Sequence, residues 1–125
     1  MAIVFDYEKH DHAMQLIKAT LTFGTDSIEN TTTHEYYGYV TQVVYDHDAS
    51  TLPDDNWVLV VTDDTATDVL NGKGAAIDKD DDHQVITQAD LDNGMACHGK
   101  LKFTASGGGT GSGICVVYLY IARYQ

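Results

Sequence analysis

The clearest periodicity in the chain lies in GKLKFTA at 99–105, where Leu101, Phe103 and Ala105 alternate with Lys100, Lys102 and Thr104. A period of two puts apolar side chains on one face of a strand and polar ones on the other, so this segment reads as a half-buried β-strand. Ile17, Ala19, Leu21 and Phe23 alternate in the same way with Lys18, Thr20 and Thr22, and a helix over 12–19 is the competing reading. ICVVYLYIA at 114–122 is apolar on both faces. Ile114, Val116, Tyr118 and Tyr120 line one, and Cys115, Val117, Leu119 and Ile121 the other. Such a strand belongs in the middle of a sheet with protein on both sides, the second side covered by another sheet or another subunit. HEYYGYVTQVVY at 34–45 is two-sided in the same sense.

The pattern predicts strands at 3–7, 14–23, 34–45, 56–62, 84–87, 95–105 and 113–123. Threonine, tyrosine and valine recur through them, and these residues fit a pleated, half-buried surface. Glycine, aspartate, asparagine and serine mark the turns between. The expectation is an all-β, single-domain β-sandwich of jelly-roll-like form with about seven to eight strands. Residues 14–125 form the sandwich, and residues 1–13 an N-terminal strand or arm. At 125 residues the chain has the size of one domain.

WVLVVTDDTATDVLNGKGA at 57–75 passes from an apolar run through three acids to two glycines. Trp57, Leu59 and Val61 share one face of a core strand, with Val58 and Val60 behind them. Asp68 is placed to cap a short turn that returns Val69 and Leu70 to the core. Asn71, Gly72 and Gly74 are assigned the positive backbone dihedrals of that reversal.

Charge changes the picture of partners. Seven Lys+Arg stand against nineteen Asp+Glu, for a net charge of −12. So acidic a surface opposes binding to phosphate backbones, and nucleic acid is not expected as a partner. No apolar run approaches the roughly 20 residues of a membrane-spanning helix, and the first residues meet acids and histidines too early for a secretory signal. The chain reads as soluble, made in a cytoplasm, with no membrane partner. Six histidines are scattered along it, at 10, 12, 34, 47, 83 and 98.

Candidate chemistry is thin. Asp78, Asp80 and Asp82 open like a calcium loop. His83 stands where that loop needs glycine, and Ala89 where it needs a bidentate glutamate, so a solvated acidic loop is the better reading. SGGGTGSG at 106–113 leads into a strand with no Lys-Ser/Thr after it, which reads as a hairpin loop and not a phosphate cradle. His10 and His12 share a strand face but lack a third ligand. Cys97 and Cys115 have no zinc-type spacing and fall within strands, where a thiol behaves as a small apolar residue; a disulfide between neighbouring strands is the lesser reading. His98 follows Cys97, and adjacent strand residues point to opposite faces, so the two form no dyad. No catalytic constellation stands out, and no cofactor is expected: the chain reads as a non-enzyme.

DDNWVLVVTDDTATDVLNGKGA at 54–75, followed by GKLKFTASGGGTGSGICVVYLY at 99–120, resembles a group of small structural proteins of tailed bacteriophages. Residues carrying the likeness are Trp57, Asp68, Val69, Leu70, Asn71, Gly72, Gly74, Gly99 and Leu101, over roughly the second half of the chain. The resemblance implies a capsid decoration or cement protein in the virion, on the outer head surface. It implies the major capsid protein as partner and self-association, with a homotrimer the commonest arrangement. Tyr36, Tyr37, Tyr39, Tyr118 and Tyr120 are then candidates for interface residues, since tyrosine offers contact area and a polar tip. Competing readings are a tail, fibre or adaptor component, and a small carbohydrate- or calcium-binding module using Trp57, the tyrosines and the acidic loops.

Overall fold

The computed structural model describes residues 2–10, 13–75, 77, 83–87 and 95–123, with the backbone alone for 83–87 and Met95. Among them the regular elements are nine strands: β1 (Ala2–Lys9), β2 (Met14–Thr22), β3 (Ile28–Thr31), β4 (Tyr36–His47), β5 (Val58–Thr62), β6 (His83–Thr87), β7 (Met95–Gly99), β8 (Lys102–Ser106) and β9 (Ile114–Arg123). All pairings are antiparallel. The larger sheet runs β1-β2-β9-β4-β6, with β7 also on β4, and the smaller runs β3-β8-β5. β6 and β7 lie end to end along β4, on residues 42–46 and 36–40 respectively.

After β5 the chain folds back along it without becoming a regular strand. The Val69 amide donates to the Val61 carbonyl at 2.8 Å, Leu59 to Gly74 at 2.7 Å and Ile77 to Trp57 at 2.9 Å. This stretch takes the fourth place in the smaller sheet. With it, one sheet contains β2-β9-β4-β7 and the other β3-β8-β5 and the returning segment, which is the strand order of a jelly roll. The all-β sandwich expected from the sequence is the fold of the molecule.

Alternation builds the core. Ile17, Ala19 and Leu21 on β2 and Val117, Leu119 and Ile121 on β9 point inward, facing Leu59 and Val61 of β5 and Phe103 and Ala105 of β8. Each buried valine, leucine, isoleucine or phenylalanine among them contributes about 1.5–3 kcal/mol by leaving water. Residues 14–22 form a strand, so the helix considered over 12–19 is not formed. Residues 2–9 pair along β2 as the outermost strand.

Two expectations about strands need correction. The single strand expected over 95–105 is two strands in different sheets, for the chain crosses the sandwich at Lys100–Leu101 with Gly99 at the corner, φ +93°. Alternation survives that corner, so it was invisible in the pattern. β3 was missed because IENT buries only Ile28.

Candidate functional site

Trp57 is fully buried between the sheets. Its ring meets Phe23, Tyr45 and His47 edge-on, with centroids 4.9, 5.7 and 5.9 Å away. A carbohydrate platform needs an exposed ring, so the reading that used Trp57 to bind sugar is corrected. Asp68 caps the turn as expected: its Oδ1 accepts from the Leu70 amide at 3.0 Å and its Oδ2 from Gly72 at 2.9 Å. Val69 and Leu70 return to the core. Asn71 (φ 51°) and Gly72 (φ 74°) carry the positive dihedrals, whereas Gly74 does not. Gly74 is needed for a different reason: a Cβ there would lie 1.9 Å from the Leu59 carbonyl oxygen, closing the approach to β5. Leu101 is a core residue on the crossing into β8.

Asp63 stands at the exit of β5 and is a hydrogen-bond hub. Its Oδ1 accepts from the Thr65 amide (2.9 Å), the Thr65 hydroxyl (2.7 Å) and the Thr67 amide (3.2 Å), and its Oδ2 from the His98 amide (3.1 Å). Burial pushes this carboxyl up, but the Thr65 hydroxyl and the three amides outweigh it and hold the group below its ordinary range. It braces the turn after β5 against β7.

Cys97 and Cys115 are unpaired and buried. Burial pushes the Cys97 thiol up to about 12 and raises Cys115 as well. Neither has the depressed thiol of a nucleophile. His98 points away from Cys97, outward. Among the described residues no group of three or more His, Cys, Asp or Glu side chains is placed to hold a metal. Asp78, Asp80 and Asp82 lie outside the described residues.

The five tyrosines divide. Tyr36 points into the core, fully buried, and donates its hydroxyl to Glu8 Oε1 at 3.1 Å. Burial, then the Glu8 carboxylate, push its phenol far above the usual range. Its assignment to an interface is corrected: the alternation of β4 turns residue 36 inward and 37 and 39 outward. Tyr39 is 47% exposed. Tyr118 and Tyr120 stand half-buried on the outer face of β9.

That outer face belongs to the larger sheet. Across it Tyr120 pairs with Leu16 and Gln42, Tyr118 with Lys18 and Val44, and Val116 with Thr20 and Asp46. The outward residues of β2, β9 and β4 include only two charged side chains, Lys18 and Asp46, on a chain of net charge −12. Lys18 Nζ sits 5.8 Å from the centre of the Tyr118 ring. No described element packs over this face.

A pocket of about 420 Å³ opens at the end of the sandwich where β1, β7 and β9 finish and β2 and β4 begin. Its wall comprises His10, Gln15, Thr33, His34, Glu35, Tyr37, Lys100 and Arg123. His10 stacks on His34 with centroids 3.7 Å apart. Tyr37 donates to Glu35 Oε2 at 2.8 Å, and its ring meets His98 edge-on at 4.8 Å. Gln15 is the inward residue at the start of β2 and donates through Nε2 to the His10 carbonyl at 2.6 Å. Sequence reasoning singled out Tyr37 as an interface candidate and His10 as half of a histidine pair but did not assemble this set: separate segments contribute it, and neither spacing nor period links them.

Comparison with protein-family models, with curated proteins and with solved structures finds no match.

Proposed function

We propose that this chain is a non-catalytic structural component of a phage virion, a decoration protein that binds the major capsid protein on the outside of the head and associates with itself, as a trimer. The outer face of the larger sheet carries the proposal. Tyr39, Tyr118, Tyr120, Leu16, Val44 and Val116 make a surface poor in charge on a strongly acidic molecule. Depletion of charge with enrichment of tyrosine marks the centre of protein–protein contacts. The likeness of residues 54–75 and 99–120 to phage structural proteins supplies the class of partner. Jelly rolls serve both capsid proteins and lectins, so the fold alone selects neither.

Cryo-electron microscopy of the virion that encodes this chain is the deciding experiment. Density for the sandwich on the outer head, with its larger sheet turned toward a neighbour, is expected. Light scattering of the purified chain should show a trimer, and co-sedimentation should show binding to expanded heads but not to procapsids. A monomer without affinity for heads overturns the proposal. Placement among tail proteins would support the tail, fibre or adaptor reading instead.

A further inference from the structure

We propose that Asn71 is a deamidation site, which the folded turn shields and local opening of that turn exposes. This goes beyond the virion role and is independent of it, since it concerns the chemistry of the chain itself and not a partner.

Asn71 is followed by Gly72, and a glycine has no Cβ to crowd the approach of its own nitrogen. The Gly72 amide nitrogen, once it has lost its proton to base in solvent, can attack Cγ of Asn71. The N–Cγ bond forms, the Cγ–Nδ2 bond breaks, and ammonia leaves after taking a proton from water. Water then opens the five-membered ring at either carbonyl, leaving aspartate or iso-aspartate at position 71. Both residues are exposed, and a Cβ on Gly72 would meet no atom within 4 Å, so solvent reaches the pair.

Two features of the turn oppose this reaction. The Lys73 amide donates to the Leu70 carbonyl at 2.9 Å, and the central residues Asn71 and Gly72 have φ of 51° and 74°. That is a type I′ turn, whose first central residue has ψ of about +30°. At such an angle the Gly72 nitrogen and the Asn71 Cβ stand nearly opposite each other across the Cα–C bond. Ring closure needs them on the same side, so Cγ is out of reach in every side-chain rotamer. The second feature is Asp68. Its Oδ2 accepts from the Gly72 amide at 2.9 Å, its Oδ1 from the Leu70 amide at 3.0 Å, and its carbonyl from the Asn71 amide at 3.1 Å. These bonds hold the turn closed. A carboxylate against the Gly72 N–H also opposes the loss of its proton, because two like charges would then adjoin.

Reaction at Asn71 therefore requires the turn to open. Iso-aspartate adds a methylene to the backbone at the tip of the segment that completes the smaller sheet, so an opening that reacts is one-way.

The test is peptide mapping by mass spectrometry of the full chain held at mildly alkaline pH, with iso-aspartate counted by enzymatic methylation. Asn71 should react at least roughly tenfold more slowly in the folded chain than in denaturant, the factor for an opening that costs about 1.4 kcal/mol. Asp68→Ala should raise the folded-state rate roughly tenfold, since hydrogen bonds to a charged group are lost. Gly74→Ala keeps Asp68 and loosens the same segment from its contact with Leu59, so it should raise the rate too. Tryptophan-fluorescence melts establish that each variant is folded during the incubation. Where one is not, the comparison of folded with denatured wild type decides by itself. Asn93-Gly94, outside the described residues, falls in a different tryptic peptide and is read separately. Three results would overturn the proposal: equal rates in folded and denatured wild type, no reaction at Asn71 in denaturant, or a folded Asp68→Ala or Gly74→Ala chain that reacts no faster than wild type. The measurement needs no head, so its failure leaves the virion role standing, and failure to bind heads leaves this site standing.

Discussion

The indole of Trp57 donates through Nε1 to His47 Nε2 at 3.0 Å, inside the sandwich, joining the end of β4 to the start of β5. An indole N–H can only donate, so Nε2 accepts and the ring carries its proton on Nδ1. The bond ties the two sheets together at the end remote from the pocket. His47→Phe keeps an aromatic ring there but leaves the indole N–H buried without an acceptor, a loss of about 1–3 kcal/mol. His47→Gln, which can still accept, should lose less. Urea unfolding followed by fluorescence of the single tryptophan measures both; equal stability of His47→Phe and wild type would show the bond to be unimportant.

Asp63 makes stability depend on acid. Its folded pKa is depressed below 3.8, so its contribution is complete above the unfolded value and is lost as pH falls through the folded one. Asp63→Asn sets an amide N–H₂ against one of the amides that Asp63 accepts from. We expect a loss of about 1.5–3 kcal/mol at pH 7, the value of hydrogen bonds to a charged group. The gap between variant and wild type should narrow below pH 4. A gap of constant size from pH 7 to pH 3 would contradict this assignment.

The two glycines of the NGKG turn should respond differently. Gly72→Ala meets no atom within 4 Å but must hold φ +74°, costing about 1 kcal/mol. Gly74→Ala drives a methyl into the Leu59 carbonyl and should cost more, about 1–3 kcal/mol or above, with loss of amide protection along residues 69–75. Hydrogen exchange distinguishes the two, and similar behaviour of both variants would contradict the close-approach role of Gly74.

Tyr45 buries its hydroxyl with no partner, and burial pushes the phenol well above its usual range. Tyr45→Phe removes the orphaned group and should leave stability unchanged or raise it by about 1 kcal/mol. Tyr36→Phe, which removes the bond to Glu8, should destabilise. Thermal melts of the two variants should therefore move in opposite directions, or Tyr45→Phe should not move at all.

Both thiols should be silent to a disulfide reagent at pH 8 in the native protein and react, two per chain, in denaturant. Reaction of either in the folded state would contradict their burial.

Local chemistry made much of this molecule legible. The period of two along residues 17–23 and 101–105 assigned inward and outward faces correctly, because side-chain alternation is a property of the strand itself; along 114–121 it separated the two faces without telling which is inward. The Asp68 cap and the positive dihedrals at Asn71 and Gly72 were readable for the same reason, since each is settled within a few residues. Tyr36 shows where such reasoning stops: its neighbours look alike in sequence, and only the way β4 is seated in the larger sheet, paired at Tyr36 with Gly99 of β7, decides which of its two alternating faces is inward.

What the sequence by itself determined is the alternation, the turns and hence the all-β class. The tertiary structure decided the crossing at Lys100–Leu101, the pairing of polar β3, the Trp57–His47 bond and the pocket that gathers Gln15, Lys100 and Arg123. These depend on residues far apart in the chain meeting in space. Long-range pairing depends on the free energy of the whole packed sandwich and leaves no periodic trace in any single segment.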